Sequence, residues 1–374
     1  IYHRLYRYNQ ATGQQALSGN CMQKKRIFYL ITRSEPGGAQ SHVLELMRGF
    51  KDQYDLVLGT GEKGFLMDAA QDLGIPVHYI PSLGRSISPV KDYRAYREIL
   101  NILRNVKPDL VHCHSSKAGI LGRLAAHRLG IKNIFTAHGW AFTDGTPPLK
   151  KSLAILLEWL LAHWTDRIVT VSEADRKLAL RYHISPAEKL VTVHNGIVNV
   201  PVTPGDTNNV RPATLIMVAR FAPQKDFSLL IDAAAGIDIN FRLLLVGDGP
   251  QFNEMKRKAK RIGIAGKTKF TGSRNDIDDL LNASDIFILS SNWEGLPISI
   301  LEAMRSGLPV IASDVGGVGE AVTNNECGIL VERGNMIELR EAIKTLLDDT
   351  DKREQMGQNA RARFEKSFTS EVML

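Results

Sequence analysis

Short apolar runs alternate along the chain with longer stretches whose apolar positions recur every three or four residues. Runs of four to eight apolar residues predict buried strands, and the 3.6-residue period predicts amphipathic helices. In the first half, strands are predicted over 26–32, 54–59, 77–80, 109–114, 133–138, 166–172 and 190–194. Helices fall between them, near 38–50, 65–73, 91–106, 117–129, 149–163 and 173–182. Asn195-Gly196 ends this series, and 197–212 is rich in Pro, Asn and Gly, a linker composition. The pattern then restarts. Strands are predicted over 214–219, 242–247, 268–271, 285–290, 309–313 and 328–331, with helices near 226–235, 250–262, 276–281, 298–306, 335–348 and 351–367. Strand–helix alternation of this kind gives parallel sheets covered on both faces. The fold class expected is α/β, with two tandem Rossmann-like, doubly wound domains facing a cleft. Their bounds are 22–196 and 213–355, and 356–374 forms a C-terminal helix able to return to the first domain.

Residues 1–21 lack periodicity and lack the apolar segment of a signal peptide. Met22-Gln-Lys-Lys-Arg reads as a natural start, so 1–21 is set aside as a tag or disordered leader. The last helix stops at Glu371-Val-Met-Leu374.

Composition narrows the class. With 44% hydrophobic and 23% charged residues, the chain has an ordinary globular profile. Cys21, Cys113 and Cys327 are too few and scattered for a disulfide framework, which points to a reducing, cytoplasmic setting. No apolar run reaches the roughly 18 residues a spanning helix needs. The net charge of +7 is uneven: residues 1–196 carry +10 and residues 197–374 carry −3. A basic first half fits a phosphorylated substrate or an anionic membrane. Nucleic acid fits least, because no aromatic-interleaved basic motif is present. The helix over 149–164 is apolar nearly all round with Lys150 and Lys151 at its start, as a core helix or one dipping into a membrane surface would be.

Candidate chemistry centres on Ser290-Ser-Asn-Trp-Glu-Gly-Leu-Pro-Ile-Ser-Ile-Leu-Glu302, a strand end, a Gly-Pro turn and a helix start. This layout aims backbone N–H groups at an anion. Glu294 sits on the turn and Glu302 about two turns inside the helix. Gly37-Gly38 after the first strand is either a tight turn or a close backbone approach to phosphate. The absence of Gly-x-Gly-x-x-Gly and of an acidic residue ending the second strand disfavours a nicotinamide cofactor. His112 and His114 share one face of a strand, with Lys117 at the next helix start. No third ligand has suitable spacing, so a polar acceptor pocket is expected there and no metal. His138-Gly139 ends another strand, where a histidine can bond a hydroxyl or lend positive charge. Arg220 and Lys225 sit on one turn, suited to gripping phosphate oxygens. Gly247-Asp-Gly-Pro250 and Gly272-Ser-Arg274 end two further strands. Asp276-Ile-Asp278 reads as helix capping rather than a metal–nucleotide motif.

Together these segments resemble the retaining glycosyltransferases of family four, which have the two-domain GT-B fold. The resemblance spans about 24–367 and rests on Gly37-Gly38-Ala39-Gln40, His112 to Gly119, Ala137-His138-Gly139, Val171-Ser-Glu173, Asn195-Gly196, Arg220 to Lys225, Gly247 to Pro250, and Glu294 to Glu302, which matches the family's Glu-x7-Glu signature. Residues 85–92 and 114–123 look like those of bacterial enzymes that build capsule, exopolysaccharide or lipopolysaccharide on polyprenyl-diphosphate-linked sugars. The resemblance implies a hexosyltransferase that needs no metal or cofactor, with a UDP-sugar favoured as donor. It implies that Arg220 and Lys225 bind the donor diphosphate, helped by amides at Gly37–Gly38 and Leu296–Pro297. Glu302 would hold the ribose, Glu294 the donor sugar, and His138 the sugar from the other domain. Gly247, Gly272, Arg274 and Gly295 complete the donor set. Arg85, His114, Lys117 and Arg123 are the expected acceptor-side residues. Chains of the family it resembles usually end with a helix returning across to the first domain; the stop at Glu371-Val-Met-Leu374 is short for that, and a short end would loosen domain closure. Two other readings share the frame: a non-catalytic scaffold subunit of a polysaccharide assembly, and an epimerase.

Overall fold

The computed structural model describes residues 24–143, 145–201 and 211–374. The expected leader, 1–21, and most of the expected linker, 197–212, lie outside the described residues.

Seven parallel strands form the first sheet: β1 (Arg26–Ile31), β2 (Asp55–Thr60), β3 (Val77–Tyr79), β4 (Leu110–His114), β5 (Lys132–Ala137), β6 (Arg167–Thr170) and β7 (Leu190–Thr192), in the order β3-β2-β1-β4-β5-β6-β7. The central strands are buried on both faces, which explains why they read as unbroken apolar runs rather than alternating ones. Helices α1 (Gly38–Phe50) and α2 (Phe65–Asp72) pack on one face, through Val43, Met47, Leu66 and Ala70. The other face carries α3 (Pro89–Val106), α4 (Ser116–Leu129), α5 (Pro148–His163) and α6 (Glu173–Arg181).

The second sheet has six parallel strands: β8 (Ala213–Val218), β9 (Phe241–Val246), β10 (Thr268–Phe270), β11 (Ile286–Leu289), β12 (Val310–Ser313) and β13 (Gly328–Val331), ordered β10-β9-β8-β11-β12-β13. Around it lie α7 (Phe227–Ala235), α8 (Phe252–Arg261), α9 (Ile277–Asn282), α10 (Ile298–Arg305), α11 (Val318–Ala321), α12 (Met336–Asp348) and α13 (Thr350–Ser367). This is the expected pair of doubly wound α/β sheets. Strand order reverses between β1 and β4 and again between β8 and β11. A crevice opens at such a switch point beyond the carboxyl ends of the strands.

Several helices start where a side chain caps them. Ser172, Asp226, Asn335 and Asp349 accept from backbone N–H groups of α6, α7, α12 and α13. Asp276 does not. It stands before α9, but its carboxylate holds the Arg274 guanidinium, Nε to Oδ1 at 2.7 Å, and Asp278 pairs with Arg305. Capping was the sequence expectation, and the nearby guanidinium groups supply the stronger charge-assisted partner.

Beyond α13 the chain returns to the first half. Thr369 bridges Ile197 in parallel, and α14 (Ser370–Met373) packs on α1. The Gly196 amide donates to Met373 Sδ at 3.2 Å, and the Leu374 side chain fills the space over Gly49. The short end expected to loosen closure is thus seated on the first half.

Candidate functional site

Loops from the carboxyl ends of both sheets meet at one place. In the second half, the β8–α7 and β11–α10 loops are zipped together. Lys225 and Ser291 form an antiparallel bridge, and the Asn292 amide donates to the Gln224 carbonyl at 2.8 Å. This pairing puts Lys225 Nζ on Glu294 Oε1, while Gln224 Nε2 donates to Glu294 Oε2 at 3.2 Å. Both members of the ion pair are largely buried. Two residues assigned from sequence to diphosphate and to sugar are therefore in direct contact.

Two charged side chains beside these loops are left over. Arg220 is exposed at the end of β8, and its guanidinium has no hydrogen bond or ion pair among the described residues, although its carbonyl accepts from the Ala222 amide at 2.8 Å. The carboxylate of Glu302, half-buried on the second turn of α10, likewise has none. Burial pushes its carboxyl up to about 6, against the pull of Arg305 and with a push from Asp278. Pro297 is the N-cap of α10 and carries no N–H, so the helix's free amides begin at Ile298 rather than at the expected Leu296–Pro297 pair. Leu296 and Gly295 are packed against the first half.

Glycines allow that approach. A Cβ on Gly295 would stand 3.1 Å from the His138 carbonyl and 3.2 Å from Asp175 Oδ2. Gly38 lies against Ile298, with 3.5 Å between its Cβ position and Ile298 Cγ1. Gly247, at φ 132°, leaves no space for a Cβ beside the Ala219 carbonyl. Gly272, at φ 72°, needs the left-handed region but faces open space. Arg274 is paired with Asp276, as described above.

The first half contributes histidines. His112 and His114 lie side by side on β4, their rings 4.2 Å apart. His114 Nδ1 meets His138 Nε2 at 3.1 Å, and His42 of α1 closes on the His138 ring at 4.9 Å. Ring nitrogens of His42, His114 and His138 all lie within 4.8 Å of one another, a spacing that could hold a metal ion. Spacing along the sequence offers no third ligand beside His112 and His114. The fold instead joins His114 to His42, from a helix some seventy positions upstream, and to His138, while His112 Nε2 bonds Thr136 Oγ1 at 2.7 Å. Burial holds all four imidazoles below their usual range, with His42 down at about 4. Near neutral pH they are hydrogen-bonding groups rather than cations, which removes the charge-lending alternative for His138.

The residues expected on the acceptor side disperse. Arg85 is exposed. Lys117 is held by Asp92 at 2.6 Å and by the Ser86 carbonyl. His114 is buried against His138. Arg123 is fully buried. It pairs with Glu158 at 2.7 Å, donates to the Gly119 carbonyl and lies 4.1 Å over the Phe135 ring. Its reach is spent inside the domain, so the expectation of an acceptor contact at Arg123 is corrected: the guanidinium neutralises a buried carboxylate.

Four residues here were not named as site residues from the sequence. Asn195 accepts from His42 Nδ1 at 2.9 Å and donates to the Leu296 carbonyl at 2.7 Å, tying the histidine cluster to the Glu294 loop. Gly316, at φ 56°, sits where a Cβ would strike the Glu294 carbonyl. Glu320 of α11 accepts from the Glu173 and Ala174 amides at 2.7 and 2.8 Å and from His194 Nε2 at 2.7 Å, clasping α6 across the cleft. Asp175 of α6 is raised to about 7 by burial, with its Ser172 hydrogen bond opposing. It lines an interdomain cavity of about 850 Å³ with Thr143, Trp293, Glu294, Gly316 and Arg333. Of the four, Asn195 carried a signal, as the residue ending the first series and as part of the family resemblance.

The whole architecture has known counterparts. Residues 205–363 match the family of glycosyl transferases group 1, and residues 36–198 match glycosyltransferase family 4. An Escherichia coli UDP-Gal:alpha-D-GlcNAc-diphosphoundecaprenol alpha-1,3-galactosyltransferase is 32% identical over 80% of this chain and 81% of its own. The E. coli O-antigen biosynthesis glycosyltransferase WbnH is 30% identical over 82% and 86%. In fold, the chain superposes on Anabaena HepE, crystallised with UDP-glucose, with a TM-score of 0.82 over 93% of this chain and 96% of that one, at 23% identity. With two doubly wound sheets facing one cleft and these similarities along both halves, the chain belongs to glycosyltransferase family 4 and has the GT-B fold.

Proposed function

We propose that the chain transfers a hexose, with retention, from a UDP-sugar to a lipid-diphosphate-linked sugar during synthesis of a bacterial surface polysaccharide. The observation that carries this reading is the pair of unpartnered side-chain charges, Arg220 at the end of β8 and Glu302 on α10, in the two segments that the Lys225–Glu294 contact joins. A free guanidinium and a free half-buried carboxylate there suit a ligand with anionic and hydroxyl parts. Arg220 and Lys225 take the diphosphate, with the amides of Gly38 and of α10. Glu302 takes the ribose hydroxyls, and Glu294 those of the sugar. His138, neutral, donates or accepts one hydrogen bond to the sugar from the opposite half. Gly247, Gly272 and Arg274 border the base. Arg85 is the exposed cation left for the acceptor's phosphates. The basic first half and the names of the relatives support a lipid-linked acceptor.

Transfer breaks the bond from the sugar's anomeric carbon to phosphate oxygen and forms one to the acceptor oxygen on the same face. The departing phosphate takes the acceptor hydroxyl's proton. Negative charge grows on the diphosphate as the sugar becomes oxocarbenium-like, so Arg220 and Lys225 stabilise the transition state more than the ground state.

Thermal-shift measurements with UDP-galactose, UDP-glucose, UDP-N-acetylglucosamine and GDP-mannose test the donor. One UDP-sugar should raise Tm with concentration, and Arg220→Ala should abolish both the shift and transfer to a GlcNAc-diphospholipid. If no nucleotide sugar moves Tm, the reading fails in favour of a non-catalytic subunit.

A further inference from the structure

The histidine cluster has a geometry that one hydrogen bond to a sugar leaves unused. His42, His114 and His138 come from α1, β4 and the residue after β5, and ring nitrogens of all three lie within 4.8 Å of one another. His42 and His114 are buried. His138 is half-buried, and its carbonyl stands opposite Gly295 across the cleft. Hydrogen bonds settle where protons sit. Asn195 Nδ2 donates to the Leu296 carbonyl at 2.7 Å, which turns its Oδ1 toward His42 Nδ1 at 2.9 Å. An amide oxygen only accepts, so His42 carries its proton on Nδ1 and its lone pair on Nε2. A metal-ligating histidine has the same arrangement, its other ring N–H held by an oxygen. His114 Nδ1 and His138 Nε2 face each other at 3.1 Å, with one proton between them. His114 Nε2 is buried without a hydrogen-bond partner among the described residues. The rings therefore do not close into a satisfied hydrogen-bond network of their own.

The donor set chooses the ion. Three imidazoles with no carboxylate among them suit a late divalent transition metal such as zinc. Magnesium and calcium take oxygen ligands and do not fit. Zinc bonds imidazole nitrogen at about 2.0–2.1 Å, so a tetrahedral site wants its nitrogens about 3.3 Å apart. His114 and His138 stand at 3.1 Å already. With 4.8 Å as the widest separation, the third nitrogen has at most about 1.5 Å to close against that ideal. The ion replaces the proton between His114 and His138. That proton passes to the other nitrogen of its own ring, so each imidazole stays neutral. Three protein ligands leave a fourth position for water, on the cleft side where His138 is half-buried. His138 is also the ring assigned above to the donor sugar. An ion there takes up that ring and sets a dication and its water between the ring and the sugar.

We propose that His42, His114 and His138 form a zinc site whose occupancy shuts out the donor sugar. The site stands on the three rings alone, and the exclusion rests on the proposed contact between His138 and the sugar. The test is titration of the full chain, stripped of metal by a chelator, with Co2+, which accepts zinc's ligands and reports a tetrahedral site by its visible absorption. One equivalent should give tetrahedral ligand-field bands. Zn2+ should then bleach them, and Mg2+ should leave them unchanged. His42→Gln should weaken Co2+ binding at least about tenfold, the least that loss of a supporting group costs such sites. His112→Gln should keep the parent's bands, because that ring bonds Thr136 and stands outside the trio. Melting curves identify which variants remain folded. Absence of tetrahedral bands in the parent overturns the site whatever the variants do. Bands that persist in folded His42→Gln overturn it too, since surface histidines then hold the ion. With Zn2+ bound, the parent should need more UDP-sugar for the same thermal shift, and His42→Gln should not. Co2+ bands without this competition overturn the exclusion alone. A chain that binds Co2+ but, free of metal, shows no shift with any nucleotide sugar fails the donor reading and the exclusion with it, and keeps the site.

Discussion

Glu302 carries a carboxyl already pushed up to about 6 by burial. As a carboxylate it accepts from hydroxyls; once protonated it loses acceptor capacity. Donor affinity should therefore weaken as pH falls through about 6, by several-fold between pH 7.5 and 5.5 in calorimetry. Glu302→Gln should remove that pH step and weaken binding about tenfold at pH 7.5, the cost of one charge-assisted hydrogen bond. Arg123 makes the contrasting case. Arg123→Ala strands Glu158 inside the domain, so it should cost about 3–5 kcal/mol of stability, seen as a lower Tm. The KM for the acceptor in the protein that remains folded should not change. Sequence shows that both residues are charged and beside apolar helical positions, but not which side of the helix each faces. Glu302 needed only the local period to be placed. Arg123 needed its partner, 35 positions away on another helix.

At the scale of elements, both sheets and nearly every helix longer than two turns were legible, because buried parallel strands and amphipathic helices write strong periods. What the period cannot write is a four-residue helix such as α11 or α14, or a loop fixed by a loop beyond it. Glu294 is such a case. Its signature is evident in the sequence, but its position is set by Gln224 and Lys225 from one side and by Gly316 from the other. Gly316→Ala would force a side chain into a left-handed backbone and against the Glu294 carbonyl. It should cost about 1–3 kcal/mol in stability and reduce the transfer rate more than donor affinity, measured by melting and by steady-state kinetics. The histidine cluster was half legible: β4 shows His112 and His114, whereas His42 and its Asn195 partner are joined only by the fold.

Across the whole molecule, the two halves are clasped by Glu320. Burial pushes its carboxyl up, but its bonds to His194 and the two α6 amides outweigh that and hold it below the ordinary value. A carboxyl lowered in the closed state contributes fully above its unfolded value, and the contribution is lost as pH falls through the folded one. Closure should loosen in acid. Glu320→Ala should remove a helix cap worth about 0.5–2 kcal/mol and give, at neutral pH, the larger radius of gyration that the parent reaches only in acid, measured by small-angle scattering. The path of the chain decides what shape that loosening takes. It leaves the first half at Ile197 and comes back at Thr369, and the two crossings are pinned side by side: the Ile197 amide donates to the Phe368 carbonyl at 3.0 Å and the Ser370 amide to the Ile197 carbonyl at 2.9 Å. A door hung on two adjacent pins swings about one axis and resists wobble. Probes placed across the mouth of the cleft should therefore separate as it opens, while a pair beside the pins keeps its distance, so that opening reduces to a single angle.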